Sequence, residues 1–166
     1  GGRKKRKSSD EILGGKTWAD VAGLAKQRGL STAPHVRQGL AAEHTRTQLL
    51  KMTAQRAKAN RLAARKPGPE GSIGKVASAE LNKDTYEFCI DLLGANGMLY
   101  GSYEMVRPET AMSFDSVPKA FLRSRANSIE GGTTEVMKNI LGERILGLPG
   151  DVRVDRDKPW HEVPRN

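Results

Sequence analysis

The chain has one cysteine, Cys89, in 166 residues. A single thiol builds neither a disulfide framework nor a metal site by itself. Aromatic residues make up 5% of the sequence, and the alternation of β-branched and aromatic residues that half-buried strands need is missing. Both shortages turn the reading toward helices. No apolar run approaches the length that crosses a bilayer, and no basic, apolar and small-residue series marks a signal peptide. The expectation is a reducing, cytoplasmic setting with no membrane span. Acidic residues are also scarce, with 19 Asp plus Glu against 28 Lys plus Arg and a formal charge of +9.

That excess raises the question of a polyanionic partner. Much of it sits in Arg3-Lys4-Lys5-Arg6-Lys7, and the rest is spread along helical segments without interleaved stacking aromatics. A basic helical nucleic-acid binder is therefore the least favoured reading, and no nucleic-acid partner is expected. What is plentiful is Ala, Leu, Ile, Val and Met, in a chain long enough for one domain and too short for two. The composition divides it into a basic flexible lead-in over 1–16, a helical bundle over 17–149 and a charged tail over 150–166. The opening Gly1-Gly2 suggests a sequence that starts partway through a longer product.

Within the bundle, Thr17 can cap a short helix that sets Trp18, Val21, Ala22 and Ala25 on one face and ends near Gly29. Pro34, a favoured first-turn residue, opens a long helix running to Lys66, with Val36, Leu40, His44, Thr47, Leu50 and Ala54 at spacings of three or four. Pro67-Gly68-Pro69 ends it. A second long helix spans 69–93, carries Ile73, Val76, Ala77, Glu80, Leu81, Phe88, Leu92 and Leu93, and closes on Gly94-Ala95-Asn96-Gly97. The short connection makes the two antiparallel. Irregular chain is expected over 98–116, a short helix over 117–127, and a last helix from the Thr133 cap to Gly147. Cys89 falls on an apolar face beside Phe88 and Ile90, where it serves as a small buried hydrophobe. The fold class is all-α, an up-down four-helix bundle with two long antiparallel helices. Fold alone does not decide function.

Two segments carry chemistry. Asp91-Leu92-Leu93-Gly94-Ala95-Asn96-Gly97 puts a glycine turn at a helix end, where a missing Cβ lets backbone approach a ligand; a plain helix C-cap accounts for the same glycines. Ile129-Glu130-Gly131-Gly132-Thr133-Thr134-Glu135-Val136 leads into the last helix, whose free N–H groups favour phosphate or carbonyl oxygen; a capping box accounts for Thr133 and Glu135 equally well.

In order and spacing these segments resemble the acyl-CoA dehydrogenases, whose last domain has a QxxGGxG-like turn followed by an EGT loop. The likeness continues through Met137-Lys138-Asn139-Ile140-Leu141-Gly142-Glu143-Arg144-Ile145-Leu146-Gly147-Leu148-Pro149. It extends back through Gly71-Ser72-Ile73-Gly74-Lys75 and Met52-Thr53-Ala54-Gln55-Arg56-Ala57, covering nearly everything from Pro34 to Pro149. The resemblance implies FAD as cofactor, an acyl-CoA substrate, an electron-transfer acceptor, and the same or related dehydrogenase subunits as partners in a tetramer or heteromer. The phosphates of CoA suit the basic charge. It also implies that Asp91, Gly94 and Ala95 meet the FAD of a neighbouring subunit, and that Thr133 and Glu135 contact the flavin end of the cofactor. The implied reaction is α,β-dehydrogenation of the thioester by a carboxylate base with hydride transfer to FAD. Glu130 is the visible candidate base.

The chain departs from the family pattern in three places. Aligning on Thr133 puts Gly131 at the base position and leaves Glu130 one residue early; some family branches carry the base on an earlier helix, which would lie upstream of Gly1. Asp91 stands where a glutamine is usual and Ala95 replaces the second glycine. The family's arginine-phenylalanine-glycine segment has no counterpart between Lys16 and His35. These departures leave a second reading open, that of a non-catalytic structural subunit of a heteromeric dehydrogenase.

Overall fold

The extended backbone of Thr17 starts the first helix, α1 (Trp18–Gln27), because its hydroxyl accepts from the Asp20 N–H while the Asp20 carboxylate accepts from the Thr17 N–H at 2.9 Å. The computed structural model describes residues 17–64, 70–99, 116–150 and 159–163. The basic lead-in, most of the expected irregular segment and most of the charged tail lie outside them. After Gly29 turns the chain at φ +70°, Pro34 opens α2 (Pro34–Ala64). The second long helix, α3 (Glu70–Leu93), runs into a 3-10 turn, Gly94–Met98. The expected short helix is α4 (Val117–Ser124), capped by Ser116 and continued by a 3-10 turn over Arg125–Ser128. The last helix, α5 (Thr134–Arg144), starts at the Thr133 cap.

These elements form the expected all-α, up-down four-helix bundle. Helix α3 is its centre, with α2, α4 and α5 packed around it and α1 across one end. The pairs Gly39 with Phe88, Glu43 with Thr85 and Arg46 with Asp84 run in opposite senses along α2 and α3, so the two are antiparallel. Gly39 is the point of closest approach: a Cβ there would stand 2.7 Å from the Phe88 ring. Val21, Ala25, Val36, Cys89 and Leu92 form an apolar core joining α1, α2 and α3, with Leu40, Phe88 and Val117 packed against it. Burial of such side chains is the main stabilising term. Trp18 ties α1 down, its indole N–H donating to the Leu40 carbonyl at 2.9 Å and its ring meeting His44 edge-on.

The inward face of α2 differs from the sequence expectation. Val36 and Thr47 are buried as expected, but Glu43 takes the position given to His44, which is exposed, as is Ala54. On α3 the buried positions include Asn82, Thr85 and Tyr86. Because α3 is surrounded on most sides, its polar residues are enclosed as well, and each then needs a hydrogen-bond partner.

Candidate functional site

Two candidate clusters lie along helix α3, one at its C-terminal end and one, on the loop entering α5, beside its middle and N-terminal half. At its C-terminal end Gly94 sits at φ +58° with nothing within 4 Å of where a Cβ would be. That left-handed, open backbone is what a close ligand approach requires. Asp91 and Ala95 are exposed beside it. Arg28, just past α1, donates from Nη2 to the Leu93 carbonyl at 3.2 Å. It satisfies a free helix-end carbonyl and brings a cation to the C-terminal end of α3, and the sequence reading did not single it out. Gly97 is buried, and a Cβ there would meet the Ile90 carbonyl at 2.9 Å, so its glycine is a packing requirement.

At the other cluster, the Thr133 hydroxyl accepts from the Val136 N–H at 3.2 Å and caps α5. Glu135 lies exposed on the first turn; its own backbone N–H, and after it the Thr133 hydroxyl and Lys138, hold its carboxyl below the usual range. Thr134 is buried and its hydroxyl reaches the Ser128 carbonyl. The loop before the cap turns through Gly131 at φ +66° and Gly132 at φ +96°, a region that L side chains seldom enter.

Glu130 precedes that glycine pair with its side chain about half exposed (48%). Arg123 of α4 donates to Oε2 at 2.6 Å, and the Asn127 amide donates to Oε1 at 2.7 Å. The Arg123 hydrogen bond, with Asn127 and the charges of Arg123 and Lys75 behind it, lowers the Glu130 pKa. Both carboxylate oxygens are thus committed to donors, and the shift is opposite to the one that tunes a carboxylate for base catalysis near neutral pH.

The carboxylate with a raised pKa is Glu43, which the sequence reading missed. Burial raises it, against the Thr85 hydrogen bond and the nearby Arg46 charge, which lower it. Asp84 pairs with Arg46 beside it. A groove of about 310 Å³ opens next to this pair, between Leu49, Leu50 and Thr53 of α2 and Ala77 and Leu81 of α3.

The two clusters do not meet. Asn82, joined to Glu130 through Asn127, is nine residues before Asp91 on one continuous helix, and Lys75, close enough to Glu130 and Glu135 to lower their pKa values, is sixteen before it. The second cluster thus stands roughly 14–24 Å from Asp91 along the helix at 1.5 Å per residue. The residues therefore suit FAD in two separate halves. Open backbone and Arg28 suit approach to a nucleotide at one end, where Asp91 opposes a phosphate. The positive end of α5 and the Thr133 hydroxyl suit polar oxygen at the other. A single chain does not gather the residues into one pocket. Among the described residues no helix is long and apolar enough to cross a membrane.

Comparison with known proteins adds an independent line. The family profile described as "Acyl-CoA dehydrogenase, C-terminal domain" matches residues 18–146. Acyl-CoA dehydrogenase IpdE1 of Mycolicibacterium smegmatis is 28% identical over 135 residues, which is 81% of this chain and 31% of that protein. Its namesake in Mycobacterium tuberculosis is 26% identical over 143 residues, 86% of this chain and 34% of that one. The chain thus spans about a third of the length of these curated relatives. Among solved structures, one titled "Tcur3481-Tcur3483 steroid ACAD" superposes with a TM-score of 0.63 at 21% identity, covering 81% of this chain and 34% of that one. The ChsE4-ChsE5 complex from Mycobacterium tuberculosis gives 0.60 at 21% identity, over 81% and 37%. These structural likenesses establish the fold.

Proposed function

The chain belongs to the acyl-CoA dehydrogenase family, whose C-terminal domain its residues 18–146 match, and from that membership we propose that it is the closing helical bundle of a flavoprotein subunit working in a heteromeric assembly on a bulky, steroid-type acyl-CoA. The observation that carries the assembly reading is the separation of the two candidate clusters along α3. Contacts that stand apart along one helix can serve two cofactors, one bound by the subunit itself and one by its neighbour. In this reading Gly94, Ala95 and Arg28 approach the neighbour's FAD, while Thr133 and Glu135 face the FAD of their own subunit. FAD, when bound, supplies the oxidant for desaturation of the thioester. The bundle supplies a helix N-terminus and hydroxyl toward polar oxygen and an open turn for close approach. The titles of the solved relatives, naming a steroid enzyme and a two-protein complex, support the substrate class and the heteromer.

The base that removes the α-proton comes, in this proposal, from outside the described residues, because both oxygens of Glu130 are engaged and its pKa is lowered. The same observation favours the second reading, a structural subunit whose partner does the chemistry. The experiment is to express the full-length subunit containing this chain together with a related dehydrogenase subunit, and to assay desaturation of straight-chain and steroid-type acyl-CoA esters by mass spectrometry. The proposal expects turnover of the steroid-type ester by the pair and little by either subunit alone. Preference of the pair for straight chains would overturn the substrate class, and full turnover by the lone subunit would overturn the heteromer.

A further inference from the structure

Asn82 lies on the inward face of α3, fully buried, and its amide nitrogen donates to Oδ1 of Asn127 in the 3-10 turn after α4. The Asn127 amide donates in turn to Glu130 Oε1 at 2.7 Å, and Arg123 takes the other oxygen at 2.6 Å. The direction of this series follows from the chemistry of its last member. A carboxylate only accepts, so Asn127 must present its NH2 group to Glu130, which leaves its carbonyl for Asn82, and Asn82 must therefore present its own NH2 group. One buried side chain in the middle of the central helix thereby sets the orientation of an amide and a carboxylate two steps away.

The loop needs such a hold. Gly131 and Gly132 follow Glu130 at φ +66° and φ +96°, and a glycine pair leaves its backbone with more freedom than any other. We propose that Asn82 is the positioning residue of the loop that enters α5: through Asn127 it fixes the Glu130 carboxylate against Arg123, and so sets where the glycine turn begins and where Thr133 and the N–H groups of the first turn of α5 are presented. The charged groups that face this loop are Arg123 of α4, Lys75 of α3, whose ammonium is buried without a hydrogen-bond partner among the described residues, and Glu135 and Lys138 of α5. None of them substitutes for the amide of Asn127, because Lys75 stands beyond hydrogen-bond reach, Glu135 is itself a carboxylate, and Lys138 acts on Glu135. The consequence for cofactor binding rests on the function proposed above; the relay itself does not.

Two readouts separate the two. The first is a carboxyl-resolved NMR titration of Glu130 in the chain, comparing wild type with Asn82→Asp, Asn82→Ala and Asn127→Ala. In Asn82→Asp an acceptor replaces the donor at the same volume, so the Asn127 amide rotates and turns its carbonyl toward Glu130. The Glu130 midpoint then rises toward the usual carboxylate range, although residue 82 never touches it, and Asn127→Ala moves it the same way. Asn82→Ala, which adds no buried charge, gives a smaller rise and carries the test should the aspartate variant not fold. An unchanged Glu130 midpoint in the folded Asn82 variants, beside a shift in Asn127→Ala, would remove Asn82 from the relay. No shift in any variant would remove the relay altogether. The second readout is flavin retention by the full-length subunit paired with its partner: a several-fold loss in Asn82→Ala is expected. If the midpoint moves and flavin retention does not, the relay stands and the assignment of Thr133 and Glu135 to the cofactor fails.

Discussion

The Thr85 hydroxyl donates to the Glu43 carboxylate at 2.5 Å across the α2–α3 interface, with both residues buried. The pair joins the two long helices about a third of the way along α2 and two thirds of the way along α3, where the apolar core gives way to polar side chains. Removing the donor while keeping its shape, as in Thr85→Val, leaves a buried carboxylate short of a partner. The expected cost is about 1–3 kcal/mol, seen as a fall of several degrees in the melting temperature.

Glu43 also makes a pH prediction. Its folded pKa is raised, chiefly by burial, so the folded state holds the proton more tightly than the unfolded chain. Its contribution is then fully present below the unfolded value of 4.5 and is lost as pH rises through the higher folded value. Glu43→Gln, which is neutral at every pH, should therefore be more stable than wild type at pH 7 to 8 by on the order of 1 kcal/mol, with the advantage shrinking toward pH 4. Denaturant unfolding across this range measures it. A constant difference at all pH values would show that the carboxyl is not desolvated in solution.

Gly39 and Phe88 fix the spacing of α2 and α3. Gly39→Ala gains about 1 kcal/mol of helix propensity but drives a Cβ to 2.7 Å from the Phe88 ring, and overpacking of this kind costs about 1–3 kcal/mol. The clash should win, giving a net destabilisation near 1 kcal/mol. Combining the change with Phe88→Leu should recover most of the Gly39→Ala penalty in a double-mutant cycle; additive losses would mean that the ring is not the obstacle.

Glu130→Gln in the full-length assembly tests the origin of the base. Gln keeps one acceptor oxygen for Asn127 or Arg123 and loses the negative charge, so the Arg123 pair weakens and the loop loosens as it does in Asn82→Ala. The reading offered above expects turnover within about threefold of wild type, because a group that is not the base contributes only through loop position, on the order of 0.6 kcal/mol. A loss of a thousandfold or more with flavin still bound would make Glu130 the base.

Much of the fold could be read from local signals. Thr17 and Thr133 cap the helices they were expected to cap, Pro34 begins α2, and Gly94 ends α3. Each signal lies within a turn of its effect, so sequence suffices. What could not be read depends on residues far apart in the chain. Glu43 lies on a stripe where a carboxylate normally marks the solvent side, and its hydrogen-bond donor, Thr85, comes forty-two residues later. The family resemblance identified the segments around Asp91 and Glu130 but not their separation along α3, nor that Arg123 and Asn127 close around Glu130. Asn82 would pass for a surface residue until α3 is known to be enclosed.

The most direct measurement of the central claim is the flavin content of the full-length subunit containing this chain, purified by size exclusion alone and with a related dehydrogenase subunit. The account predicts that flavin absorbance co-elutes with the mixed assembly and is weak or absent from the lone subunit, and that Arg28→Gln lowers it further. Stoichiometric flavin on a lone monomer would contradict it, since one chain would then gather contacts that stand apart along α3.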